Sequence, residues 1–108
     1  MNSNAPIRDT MKTENSNNTA VVRLSGRFTF DNHKEFRSAF SQELAGKANQ
    51  ITIDFGGVEY IDSAALGMLL LARERAGEQG KTVALTNCRG PVKAVLDIAN
   101  FQRLFAIS

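Results

Sequence analysis

The sequence predicts an α/β fold in which a mixed, mostly parallel sheet of four to five strands packs against about three to four helices. Two kinds of segment alternate along the chain. One is rich in β-branched or alternating apolar residues, as strands are, and the other has apolar residues that recur at helical spacing. Strands that alternate with helices need crossover connections, which favour parallel neighbours. With 108 residues, 43% of them hydrophobic, the chain is long enough for one core and one domain.

The first part of the chain predicts two strands joined by a turn. The segment Ile7–Lys12 is expected to form an edge strand. Glu14–Thr19 is rich in Asn, Ser and Thr and predicts a turn. Ala20–Leu24 contains β-branched residues and predicts a strand that stops at Gly26.

A helix is predicted over Asp31–Leu44, because its apolar residues fall on one face: Phe36, Ala39, Phe40 and Leu44. Asn32 followed by Glu35 resembles a capping box, and Asp31 is the competing N-cap. Gly46 is a suitable residue to end this helix.

The middle of the chain predicts a strand, a link and a long helix. Ile51–Phe55 alternates between apolar and polar residues, as a strand with one buried face does. The pair at positions 56–57, Gly-Gly, is expected to break this strand, leaving Val58–Ile61 as a short apolar link. The helix begins at Ser63 and presents an apolar stripe: Ala65, Leu69, Ala72 and Ala76, widened by Leu66 and Leu70.

The last part repeats the alternation. Thr82–Leu85 predicts a strand. A helix is expected to open at Gly90 with Pro91 in its first turn, where proline is favoured, and its apolar face comprises Val92, Val95, Leu96 and Ala99. Leu104–Ile107 predicts a final short strand.

Composition narrows the classes of function. The net charge is only +2 and the bases alternate with acids, so the basic stripe of a nucleic-acid-binding protein is missing from the sequence. Cys88 is the single cysteine, so an internal disulfide is impossible, which favours a reducing compartment. Its side chain is expected to be a small buried apolar group. The longest apolar stretch, Ala64–Ala72, is too short to cross a bilayer. We expect a cytoplasmic protein with no membrane insertion, flexible over residues 1–6 and folded over residues 7–108.

The segment around Ser63, which includes the end of a strand, a loop and the start of a helix, is the candidate functional site. Unpaired N–H groups and a partial positive charge meet at a helix N-terminus, so a phosphate on the Ser63 hydroxyl would be tolerated there. The alternative from composition alone is that Asp62 and Ser63 merely cap the helix, since Asp and Ser are common N-caps. Asp54 and Gly67 are likewise open to purely structural interpretations.

Residues 58–67, Val-Glu-Tyr-Ile-Asp-Ser-Ala-Ala-Leu-Gly, resemble the motif of the STAS family of bacterial anti-sigma-factor antagonists. That motif is an apolar residue, then Asp-Ser-Ser/Thr-Gly-Leu-Gly, then an apolar helix. Leu24–Phe28 resembles the end of the family's early strand with its Gly-x-Leu turn. Residues 90–105 are similar to its last helix and closing segment. The resemblance spans about residues 20–108 and implies the STAS fold.

The resemblance implies that Ser63 is the residue a partner kinase phosphorylates. Ala64 replaces the family's second hydroxyl, which leaves one acceptor. Thr29 stands where many members carry a partner-contacting Asp, and Asp31 lies nearby. The residues expected at the partner-binding surface are thus Asp62, Ser63, Ala64, Gly67, Thr29 and Asp31. Ala65 replaces a usual Gly, which removes some backbone freedom.

The implied mechanism is partner switching, with no catalytic residue, metal or cofactor. The unphosphorylated antagonist binds an anti-sigma factor that has serine-kinase activity, phosphorylation releases it, and a metal-dependent serine phosphatase restores it. The alternative is a STAS accessory subunit of a membrane lipid ABC transporter, which shares the fold and binds an ATPase. A scaffold role in a signalling complex also stays open. A Ser-His-Asp hydrolase is disfavoured, because no G-x-S-x-G elbow surrounds Ser63 and His33 is the only histidine.

Overall fold

The computed structural model of the chain describes residues 12–16 and 18–108. The predicted flexible residues 1–6 lie outside them, as does the predicted strand Ile7–Lys12 apart from Lys12. The five strands are β1 (Lys12–Ser16), β2 (Thr19–Phe28), β3 (Gln50–Ile61), β4 (Thr82–Thr86) and β5 (Ala106–Ile107). The helices are α1 (His33–Leu44), α2 (Ser63–Glu78) and α3 (Gly90–Ile98), with 3-10 turns at Phe30–Asn32 and Phe101–Arg103.

The sheet confirms the predicted fold class. Its strand order is β1-β2-β3-β4-β5, with β1 antiparallel to β2 and the remaining neighbours parallel. Because successive parallel strands are also neighbours, right-handed crossovers place the three helices on one face of the sheet. Val22, Ile53 and Leu85 sit opposite one another on three adjacent strands, are fully buried and form the centre of the core beneath these helices.

The predicted turn over Glu14–Thr19 is wrong in part, because Glu14–Ser16 belong to β1. Strand β1 pairs with β2 in an antiparallel hairpin whose last pair is Ser16 with Thr19. Backbone pairing of an edge strand does not require apolar side chains, so the composition of this segment misidentified it.

Glycines do not end the two central strands as predicted. Strand β2 continues past Gly26 to Phe28, and β3 continues past Gly57 to Ile61. The two strands change register between Arg23 and Ser25 and again after Gly26, whose φ of +80° is readily available only to glycine. At Gly57 a Cβ atom would lie 2.7 Å from the Cβ of Ser25, so this position needs a glycine for close strand approach.

The helices follow the sequence closely, with two corrections. Helix α2 begins at Ser63 and buries the predicted stripe Ala65, Leu69, Ala72 and Ala76. Leu70 does not widen that stripe, since it is 41% exposed. The predicted capping box at Asn32 is also wrong: the Asn32 side chain makes no cap for α1. It belongs instead to a capping box one turn earlier, whose N-cap is Thr29.

The C-terminal part completes the core. Pro91 lies in the first turn of α3, and Val92 and Leu96 are buried, as predicted. Strand β5 covers only the last two residues of the predicted segment Leu104–Ile107, because a 3-10 turn precedes it. Cys88 is buried as predicted, and this burial raises the pKa of its thiol to about 11.

Candidate functional site

The start of helix α2 is capped by Asp62. Its backbone is extended, and its Oδ1 accepts a hydrogen bond of 2.8 Å from the N–H of Ala65. This bond satisfies one of the donors that the first turn of a helix leaves unpaired. The structural interpretation from the sequence is therefore correct for Asp62, and it assigns the cap to the carboxylate rather than to the neighbouring hydroxyl.

Ser63 is the first residue of α2 and its side chain is exposed. Among the residues that the structure describes, none forms a hydrogen bond with its hydroxyl. The helix dipole places a partial positive charge beside this hydroxyl. The Ser63 hydroxyl is thus accessible from solvent, and a covalent modification of it would remove neither the helix cap nor a buried contact.

The turn that precedes α1 is attached to the same helix start. Phe30 donates its backbone N–H to Asp62 Oδ2 over 3.2 Å. The turn itself is closed by two reciprocal bonds, from Thr29 N–H to Asn32 Oδ1 at 2.9 Å and from Asp31 N–H to Thr29 Oγ1 at 3.3 Å. One carboxylate therefore fixes two segments that lie about 30 residues apart in sequence.

This turn presents Phe30 to solvent. The Phe30 ring is 59% exposed and stacks on the ring of His33, with centroids 4.4 Å apart. His33 Nδ1 lies 2.8 Å from the carbonyl oxygen of Phe30, and a carbonyl can only accept, so this nitrogen carries the proton. The histidine therefore packs against and supports the Phe30 side chain.

A groove with a volume of about 360 Å³ separates α1 from α2 beside Ser63. Phe36 and Phe40 of α1 contribute to its lining, and so do Ala64 and Gly67 of the first two turns of α2. Phe30 lies at the end of the groove that adjoins the helix start. The surface around Ser63 is therefore concave and apolar on one side.

A second aromatic side chain is exposed close in sequence to Asp62, at the end of β3. Tyr60 lies at the end of β3, is 43% exposed, and has the Arg27 guanidinium 4.2 Å from its ring centroid. This cation–π pair links the ends of β2 and β3. The pair leaves a partly exposed aromatic ring two residues before the N-cap of α2.

The structure brings most of the predicted site residues together. Asp62 is the N-cap of α2, and Ser63, Ala64 and Gly67 lie on its first two turns. The turn that contains Thr29 and Asp31 is held next to them by the hydrogen bond from Phe30 N–H to Asp62. Thr29 serves as the N-cap of its turn and is half-buried, while Asp31 is exposed. Sequence reasoning missed Phe30, Leu71, Arg37 and Arg75, which border or line the groove. Leu71 gave one usable signal, because it is a large apolar residue that lies off the buried stripe of α2.

A separate polar cluster surrounds Asp54 on β3. Its carboxylate accepts hydrogen bonds from Asn87 Nδ2 at 2.9 Å, from Gly56 N–H at 2.8 Å and from Arg23 Nε at 3.4 Å. Burial alone would raise the pKa of Asp54, but these hydrogen bonds and the Arg23 charge outweigh it and lower the pKa. Asp54 therefore joins β2, β3 and the loop after β4.

Within residues 12–16 and 18–108, no group of three or more His, Cys, Asp or Glu side chains is arranged to hold a metal ion. The described helices include none that is long and apolar enough to cross a membrane.

Solved structures of other proteins share this fold. An anti-sigma factor antagonist from Mycobacterium paratuberculosis superposes with a TM-score of 0.81 at 21% identity, over 91% of this chain and 83% of that one. The anti-sigma factor antagonist SpoIIAA of Bacillus, in its unphosphorylated form, gives a TM-score of 0.77 at 19% identity, over 91% and 87%. At these identities the likeness concerns the fold.

Sequence comparison identifies the family. A STAS-domain containing protein of Pseudomonas aeruginosa (strain UCBPP-PA14) is 40% identical over 88 residues, which cover 82% of this chain and 86% of that protein. The family model described as "Mlab, STAS domain" matches residues 11–106. The chain belongs to the STAS-domain family, as its motif at residues 58–67 predicted.

Proposed function

We propose that the chain is a cytoplasmic anti-sigma-factor antagonist that regulates transcription by partner switching. When Ser63 is unphosphorylated, the chain binds an anti-sigma factor with serine-kinase activity and so frees the sigma factor. Phosphorylation of Ser63 by that kinase ends binding, and a metal-dependent serine phosphatase restores it. The solved structures with this fold that are anti-sigma factor antagonists support this function.

The exposure of Ser63 beside a cap that does not depend on it is the observation that carries the proposal. The hydroxyl is at the surface, while Asp62 Oδ1 holds the first turn of α2. A kinase therefore reaches the hydroxyl in the folded protein, and phosphorylation leaves the cap in place. A serine buried in the core would have required local unfolding at every phosphorylation.

The energies favour a switch that changes binding and leaves the fold intact. A phosphate adds about −1.5 to −2 charges at neutral pH, next to the carboxylate of Asp62. In the free protein, attraction to the helix terminus offsets this repulsion by about 0.3–1 kcal/mol. In a dehydrated interface an unpaired charge costs several kcal/mol, and about 1.4 kcal/mol already reduces affinity tenfold. Phosphorylation should thus abolish docking without unfolding the domain.

The test is affinity capture from the native cell with matched serine variants. Wild type and Ser63→Ala should capture the same anti-sigma factor, identified by mass spectrometry, whereas Ser63→Asp should not. Ser38→Asp is the control, because Ser38 is also an exposed helical serine but lies in the middle of α1. It should capture the partner as wild type does.

Two results would contradict the proposal. One is capture of the anti-sigma factor by Ser63→Asp with the affinity of the wild type. The other is capture of a transporter ATPase equally by the wild type and by every Ser63 variant. That result would favour an accessory subunit of a membrane lipid transporter.

A further inference from the structure

The groove between α1 and α2 exposes more apolar surface than the fold requires. Phe36 and Phe40 are buried at its base, whereas Phe30 and Leu71, at its border, are 59% and 50% exposed. Large apolar side chains grouped around a concavity mark interaction sites on soluble proteins. The groove begins at Ala64, the residue after Ser63, so it is continuous with the surface proposed for switching.

The charged side chains that line this groove are basic. Arg37 and Arg75 line the groove, and none of the described residues that line it is acidic. Arg75 Nη2 donates a hydrogen bond of 3.1 Å to Ser41 Oγ, which fixes the guanidinium at the border of the groove. A segment that complements this surface carries carboxylates beside its apolar residues.

Gly67 supplies an independent observation. It lies within α2, where glycine is about 1 kcal/mol less favourable than alanine, and it lines the groove. A Cβ atom built on it meets nothing within 4 Å, so packing in this part of the chain does not demand a glycine. Gly77 is equally open but does not line the groove, so the position of Gly67 on the groove is what distinguishes it. A glycine at that position allows a partner backbone to approach α2 closely.

The length of the groove matches a short helix. From Ala64 to Arg75 helix α2 rises by about 16 Å, which is about three turns. Partner helices in such grooves bind through apolar residues at positions i, i+3 or i+4, and i+7, which span about two turns. We propose that an acidic amphipathic helix of the anti-sigma factor lies in this groove and makes its closest approach at Gly67. This inference rests on the proposed function and specifies which chemistry of the partner the site recognises.

The first test places the photocrosslinking amino acid p-benzoylphenylalanine at Leu71, with the same substitution at Ile98 as the control. Ile98 is 83% exposed on α3 and does not line the groove. In the native cell, the Leu71 variant should crosslink to a segment of the captured anti-sigma factor with net negative charge and apolar residues at helical spacing. The Ile98 variant should not crosslink to that segment.

The second test compares Gly67→Gln with Gly77→Gln, since both glycines are exposed in α2 with open space at the Cβ position. Both variants should melt no lower than the wild type, because glutamine is a better helix former than glycine. Affinity for the purified anti-sigma factor should fall at least about tenfold in Gly67→Gln and stay unchanged in Gly77→Gln.

The groove inference and the proposed function fail in different ways. If Ser63→Asp abolishes capture but Leu71 crosslinks to nothing, to a basic or extended segment, or to a lipid-sized mass, the groove inference is overturned and the switch stands. Equal binding by the two glutamine variants also overturns the groove inference. If Ser63→Asp binds like the wild type, the switch itself fails.

Discussion

Asp62 joins two distant segments through its two carboxylate oxygens. Oδ1 accepts from Ala65 N–H at 2.8 Å and caps α2, while Oδ2 accepts from Phe30 N–H at 3.2 Å and holds the turn before α1. Because Phe30 borders the groove and Ser63 follows Asp62, this carboxylate sets the geometry between the proposed phosphorylation site, Ser63, and the apolar groove beside it. The aspartate of the motif thus has a positioning role that its proximity to the serine did not reveal.

The double role of Asp62 predicts a measurable cost of its removal. Asp62→Ala should lower the free energy of unfolding by about 1–2 kcal/mol, as loss of an N-cap does. Asp62→Asn should cost less, because its amide oxygen can still accept from Ala65 N–H. Urea unfolding checks both values, with Asp31→Ala as an exposed control expected within about 0.5 kcal/mol of the wild type. An Asp62→Ala variant as stable as the wild type would refute the cap.

The close approach of β2 and β3 predicts that Gly57 cannot be replaced. Gly57→Ala should lower the free energy of unfolding by about 1–3 kcal/mol, since the new methyl would lie 2.7 Å from Ser25 Cβ. Gly77→Ala is the control and should raise it by about 0.5–1 kcal/mol, because its site is an open helical position. Urea unfolding of both variants measures these changes. A Gly57→Ala variant with the same free energy of unfolding as the wild type would show that the two strands separate easily.

The lowered pKa of Asp54 predicts how stability depends on pH. A carboxyl whose pKa lies lower in the folded state than its ordinary 3.8 stabilises the fold fully above that value. This stabilisation is lost as pH falls through the folded-state pKa. Asp54→Asn should therefore be less stable than the wild type near about pH 6, and the difference should shrink near about pH 3. Urea unfolding at both pH values tests this, and a difference that grew on acidification would contradict the hydrogen-bonded carboxylate.

The burial of Cys88 predicts an unreactive thiol. With a pKa of about 11, about one thiol in a thousand is the nucleophilic thiolate at about pH 8. Labelling by a disulfide reagent should be slow in the native protein and fast in guanidinium chloride. Rapid stoichiometric labelling of the native protein would show that the thiol is accessible.

Local patterns were sufficient to predict the start of α2, the alternation in β3 and the buried stripe of Ala65, Leu69, Ala72 and Ala76. Each of these follows from the period of apolar residues and from the chemistry of helix caps. The same patterns predicted where Asp62 and Ser63 lie relative to the helix, and so predicted the centre of the candidate site.

Features that depend on packing between distant segments were not predictable. Strand β3 passes through Gly56 and Gly57 because it carries one more residue than β2 at each of two register shifts, and such shifts depend on how the two strands pair. The groove needs α1 and α2 side by side, and Phe30 enters it only because Asp62 holds its backbone. A single sequence without aligned relatives carries no signal for such pairs.

The most direct measurement is intact-mass analysis of the protein from its native cell under two growth conditions, followed by mapping of the modified residue. The account predicts a fraction carrying one phosphate on Ser63 that changes with the condition and vanishes in Ser63→Ala. A protein that stays unmodified under both conditions, or that carries its phosphate on another residue such as Ser38, would contradict it.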